Sequence, residues 1–128
     1  MPKLSSRLQV PGLGFLAGAV ALVSCAPASQ AQRQADASVE RGRRLVGQFA
    51  CGSCHQIPGV LGADGTVGPP LRGLARRSAI AGLLDNTPEN LTSFIRLPQS
   101  VVKGGVMPDM GLTEAEAADA AAYLLSRS

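Results

Sequence analysis

Large aromatic side chains are scarce in this chain. Its 128 residues include three Phe, one Tyr and no Trp. Phe15 lies in an N-terminal stretch that reads as removable, so Phe49, Phe94 and Tyr123 are left to fill a core. A domain of about a hundred residues folds unaided as a rule, but usually with more bulk than this. The shortage points to a core completed by a bound apolar group, although Ala, Leu and Val can also build a small core. Net charge is low as well. The chain carries +3, but Lys3 and Arg7 sit in the N-terminal stretch, which leaves ten basic against nine acidic groups from residue 25 onward. A balance near +1 excludes the broad basic field that nucleic acid requires. No segment alternates with period 2 for long enough to claim a strand, and no internal repeat is present. The length allows one domain, not two.

The first apolar run, Val10 to Val23, has 14 residues. A membrane-spanning helix needs about 20. Preceded by Lys3 and Arg7, the run reads as an export signal over residues 1–24. It ends in Leu22-Val23-Ser24-Cys25, which resembles a bacterial lipobox, in which the thiol of Cys25 receives a diacylglycerol. Ordinary cleavage after Ala28 or Ala31 is the competing reading. Ala26 after the Cys leans toward an outer-membrane address in a Gram-negative cell. Residues 25–37 are rich in Ala, Pro, Ser and Gln without apolar periodicity, and read as a flexible tether. Its twelve residues after the Cys reach on the order of 20 Å as a coil. The folded domain is expected over 38–128.

Helices are expected at four places. Gly42, Leu45, Val46 and Phe49 share one face of a helix from about Ser38 to Ala50. A short helix is expected from Ser78 to Leu84. Thr87 and Pro88 read as the N-cap and first position of a helix that ends before Pro98. Thr113 and Glu116 form a capping box ahead of the stripe Ala117, Ala120, Ala121 and Leu124. The Gly/Pro-rich loop 56–73 needs something to organise it.

The chemistry centres on Cys51-Gly52-Ser53-Cys54-His55. Two Cys three apart with His next are the spacing for covalent haem c attachment. Each thiol adds to a haem vinyl group, and the adjacent His is carried under the iron. A structural zinc site needs four ligands, and the donors run out, since the third Cys is Cys25. A dithiol oxidoreductase would want a βαβ context, which is not seen. The dithiol is still the main reading left beside haem, and a structural disulfide between Cys51 and Cys54 is possible in an exported protein.

With these residues in place, the sequence resembles a small bacterial class I cytochrome c from about Val39 to Leu125. The landmarks follow family order: the helix with Gly42, the haem motif, Gly68-Pro69-Pro70-Leu71, a Met-Pro loop, and a last helix ending Ala121-Ala122-Tyr123-Leu124. The resemblance implies an all-α fold of three to five helices and long loops wrapped around one haem c. It implies His55 as proximal ligand, the Pro69 carbonyl as its partner, and Leu71 packed on the haem face. It implies Met107 as distal ligand, because the ligand Met usually precedes the Gly-apolar pair, here Gly111-Leu112, by four residues. Met110 is the other candidate. Gly42 would face Ala120 or Ala121, with Tyr123 and Leu124 beside the haem. Arg77 aligns with a family propionate partner, with Arg76 or Arg72 as substitutes.

Two departures stand out. Phe94 replaces a Trp whose N–H would reach a propionate. Lys103-Gly104-Gly105 replaces the more usual Pro-Gly ahead of the Met, which loosens that loop. The implied function is single-electron transfer rather than enzyme catalysis. The expected partners are a quinol-oxidising complex, a terminal oxidase or a dehydrogenase, met on the periplasmic side of a membrane. A fixed haem subunit of such a complex is the alternative. A peroxidase or gas-binding haem is a further one, but no second imidazole is present to serve its open site.

Overall fold

A computed structural model describes residues 26–127. The expected signal and Cys25 therefore lie outside the described residues. Among the described residues four α-helices carry the fold: α1 (Ala26–Gln48), α2 (Pro88–Arg96), α3 (Pro98–Val101) and α4 (Glu114–Ser126). Single 3-10 turns occupy Cys51–Ser53 and Leu74–Arg76, and a two-stranded antiparallel hairpin pairs β1 (Ala79–Ile80) with β2 (Leu84–Asp85). None of the described helices is long and apolar enough to cross a membrane.

Helix α4 packs on both α1 and α2. Its start is set by the expected box: the Thr113 hydroxyl accepts from the Glu116 N–H, and the Glu116 carboxylate accepts from the Thr113 N–H. Ala117, Ala120, Ala121 and Leu124 form its buried stripe, joined by Tyr123 at 1% exposure. The crossing with α1 is close. A Cβ on Gly42 would overlap the carbonyl oxygen of Asp119, with the Tyr123 Cβ just beyond. The expected partners Ala120 and Ala121 are thus replaced by the backbone one residue earlier and the side chain two residues later. Arg41 then grips the Asp119 carboxylate with two N–H groups at 2.6 and 2.9 Å, and Ser38 adds a third bond at 2.5 Å.

Two expectations need correction. Residues 26–37 are not an irregular tether; they are the first half of α1. The side chains from Ser29 to Ala37 are exposed, so no apolar stripe marks that half. Ala, Gln and Arg are strong helix formers, and elongating an anchored helix avoids the cost of nucleating a new one. Packing begins at Ser38 and Val39. The helix expected over 78–84 is the β1–β2 hairpin instead. Ala81 and Gly82 both take positive φ, at 51° and 71°, and the Leu83 N–H bonds to the Ile80 carbonyl at 3.0 Å. That turn reverses the chain as a hairpin does, and seven residues are too few to favour a helix against it.

The loop 56–73 is ordered by its own backbone. Gly65, Gly68 and Leu71 N–H groups bond to the carbonyls of Gly52, Cys54 and Gln56 at 2.8–3.0 Å. The loop is thereby stitched along the Cys51–Gln56 segment.

Candidate functional site

Helix α1 stops at Gln48, and Ala50 turns the chain through left-handed φ of 51°. The following 3-10 turn places Cys51, Cys54 and His55 on one wall of an apolar cavity of about 470 Å³. The cavity lies between the helices and the two loops. Val46, Leu91, Ile95 and Leu124 supply helical walls; Leu71, Leu74 and Ile80 line it from the loops and the hairpin. No carboxylate and no second imidazole is among its lining residues.

The His55 ring is oriented by the backbone. Its Nδ1–H donates to the Pro69 carbonyl at 2.8 Å. Proline has no N–H to compete there, and a bond at Nδ1 leaves the Nε2 lone pair available as a ligand. Gly68 makes the approach possible, since a Cβ at that position would overlap the imidazole ring. In the sequence Gly68 is legible only as part of a motif; its role as a ring seat is not.

Cys51 and Cys54 are both free thiols. Burial pushes the Cys51 thiol up, with a smaller contribution from Cys54. Dithiol oxidoreductases need the opposite, a thiol lowered toward the thiolate. The disulfide reading finds no support in this pair. Among the described residues no group of three or more His, Cys, Asp or Glu could hold a metal ion. An apolar cavity of this size, two free thiols at its edge and one bare imidazole nitrogen are the donor set haem c requires. The residues present fit that group.

Met107 and Met110 both line the cavity. Both lie in the loop ahead of α4, and of the two Met110 packs against the buried core. Arg77 lines the cavity too. Its Nη2 donates to the Pro70 and Arg72 carbonyls, which leaves Nε and Nη1 available for a carboxylate. Asn86 sets that turn by donating to the Leu74 and Arg77 carbonyls at 2.7 and 2.9 Å. Arg72 and Arg76 do not line this cavity; Arg72 borders a separate cleft of about 210 Å³ with Gln56 and Asp64. Tyr123, expected beside the cofactor, is not in the wall either. Its hydroxyl donates to the Pro58 carbonyl at 2.8 Å, and Arg127 sits over its ring. Phe94 lines the cavity without a polar atom to offer. Gln99 and Asn86 are not legible as site residues in the sequence, because their partners are backbone groups that leave no residue pattern.

Comparison with known proteins agrees with this geometry. The family model described as Cytochrome c matches residues 39–128. A relative in Alkalihalophilus pseudofirmus, named cytochrome c oxidase subunit 2, is 35% identical over 93 residues. The match takes in 70% of this chain and 26% of the relative, so the chain spans about a quarter of that protein's length. No solved structure matches the chain.

Proposed function

The chain belongs to the cytochrome c family, and from that premise we propose that it is a monohaem electron carrier whose iron is held by His55 and Met107. The family carries haem c covalently, and electron transfer is the chemistry that group supplies when bound. The observation that carries the finer reading is the seating of Cys51, Cys54, His55 and Met107 on one apolar cavity. Cys51 and Cys54 would hold the group at one edge. His55 would ligate through Nε2, its ring fixed by Pro69. A thioether opposite an imidazole raises the reduction potential relative to two imidazoles. The apolar walls exclude water and favour the state of lower net charge. Arg77 offers its free N–H groups to a propionate; such a charge-assisted bond is strong where water is excluded. With His55 and Met107 both engaged, no ligand site would be left for substrate, and a lining without carboxylate or second imidazole favours a carrier over a peroxidase.

Val67 and Val106 line the cavity and are 67% and 81% exposed, which makes an apolar mouth. Small apolar contact areas suit transient redox partners. A relative named as an oxidase subunit supports a terminal oxidase as one partner. A quinol-oxidising complex or a dehydrogenase is the proposed donor. Anchoring through a lipidated Cys25 would keep the domain on the periplasmic face of a membrane; Cys25→Ala should then move it from the membrane to the soluble fraction.

The ligand pair is tested on the oxidised holoprotein. Met-ligated ferric haem has a weak near-infrared band. That band should be present in the wild type, survive Met110→Ala and vanish in Met107→Ala. A wild type without it, or one that takes up carbon monoxide readily, would overturn the ligand pair and restore the open-site reading.

A further inference from the structure

The loop that bears Met107 has little to hold it. Residues 102–111 contain Gly104, Gly105 and Gly111, and the segment ahead of Met107, Lys103-Gly104-Gly105, has no proline. Glycine leaves the chain more conformations to lose than any other residue. Among the described residues, one backbone–backbone bond reaches into 103–111, from the Gly105 N–H to the Val102 carbonyl at 3.0 Å. One side chain supplies most of the rest. Gln99 Nε2 donates to the Gly105 and Met107 carbonyls, each at 2.7 Å, and Gln99 Oε1 accepts from the Gly104 N–H at 3.1 Å.

The amide orientation follows from these partners. A primary amide has two N–H donors and a carbonyl. Two carbonyls face its nitrogen and one N–H faces its oxygen, so the reversed orientation would set like against like three times. Gln99 itself is anchored. It lies in the single turn of α3, directly after Pro98, which is buried. Its amide therefore projects from a fixed point and grips the loop at Gly104, Gly105 and the peptide of Met107.

We propose that Gln99 is the positioning residue of the Met107 ligand: its amide replaces the stiffness the loop's own sequence lacks. The proposal rests on Met107 being the axial ligand. An iron–thioether bond is labile, and the fraction of time it is broken depends on where the loop goes once released. A clamped loop returns the sulfur to the iron; an unclamped one exposes the iron to other ligands. The clamp thus keeps the site a carrier and closes it to small molecules.

The test is competition by imidazole for the iron of the ferric holoprotein, read by loss of the near-infrared band. Gln99→Ala removes all three bonds. The loss of three bonds at once predicts that at least about tenfold less imidazole extinguishes the band. Gln99→Glu keeps the length and the acceptor for Gly104 but turns a carboxylate toward two carbonyls. It should be at least as sensitive as the Ala variant. Asn90→Ala is the control. It cuts a side-chain bond of similar length, 2.9 Å to the Asp85 carbonyl, away from the loop. It should lower the unfolding midpoint without changing the imidazole response. If the Gln99 variants stay within twofold of a wild type that has the band, the clamp is overturned while Met107 ligation stands. If the wild type itself lacks the band, Met107 ligation fails, and the clamp fails with it.

Discussion

A single methyl group at position 42 would force the two longest helices apart. The ideal Cβ overlaps the Asp119 carbonyl, a backbone atom that cannot swing away. Gly42→Ala gains up to about 1 kcal/mol of helix propensity, but overpacking costs about 1–3 kcal/mol and more where backbone is in the way. Net destabilisation of up to about 2 kcal/mol is expected, read from denaturant unfolding of the holoprotein. The need for a small residue at 42 was legible in the sequence as a glycine on an apolar helix face. The atom that imposes it was not. Helix phase decides which group meets Gly42, and a rotation of one residue separates Asp119 from Ala120. Position 68 has the same logic, and there the neighbour is the His55 ring.

Helix α4 shows how much a local motif can decide alone. Thr113 and Glu116 satisfy each other's backbone N–H groups without help from the rest of the fold. Thr113→Ala should cost about 1 kcal/mol, seen as a lower unfolding midpoint with an unchanged ferrous spectrum. Docking of α4 on α1 adds a pH dependence. Arg41 holds the Asp119 carboxyl below its ordinary range, and Ser38 contributes in the same direction. A lowered pKa means the stabilisation is present above the unfolded value, near 3.8, and is lost as pH falls through the folded one. Asp119→Asn should therefore be less stable than wild type at pH 7 and lose less on acidification to about pH 3; equal slopes in an acid unfolding series would contradict this. Helix α1 teaches the reverse lesson. Its first half has no apolar stripe, and a search for periodicity alone reads it as coil.

At the scale of the molecule, the cavity sits where a core should be. The fully buried large side chains are Tyr123, Val46 and Pro98, and the rest of the α4 stripe is largely alanine. Leu91, Ile95 and Leu124 belong to the buried core and also line a space of about 470 Å³. Apolar walls with nothing packed against them forfeit the burial and the contacts that a filled core supplies. Replacing both Cys51 and Cys54 by Ala should give a protein that holds no haem and has lost most of its cooperative thermal unfolding by circular dichroism. A haem-free variant that melts like the holoprotein would refute the idea that the cofactor completes the core.

By itself, the amino-acid sequence determined the family, the all-α fold and the cofactor. It did so because covalent attachment needs two thiols and a histidine at one spacing, and because capping boxes and helix stripes are written in consecutive residues. Only the tertiary structure decided which surfaces meet. It set the Asp119 carbonyl against Gly42, the Tyr123 hydroxyl on Pro58 instead of the cavity, Arg77 rather than Arg72 or Arg76 at the cavity wall, and the Gln99 amide on the Met107 loop. Most of these contacts end on backbone carbonyls. Every residue carries such a carbonyl, so no residue type announces it, and only packing in three dimensions chooses among them.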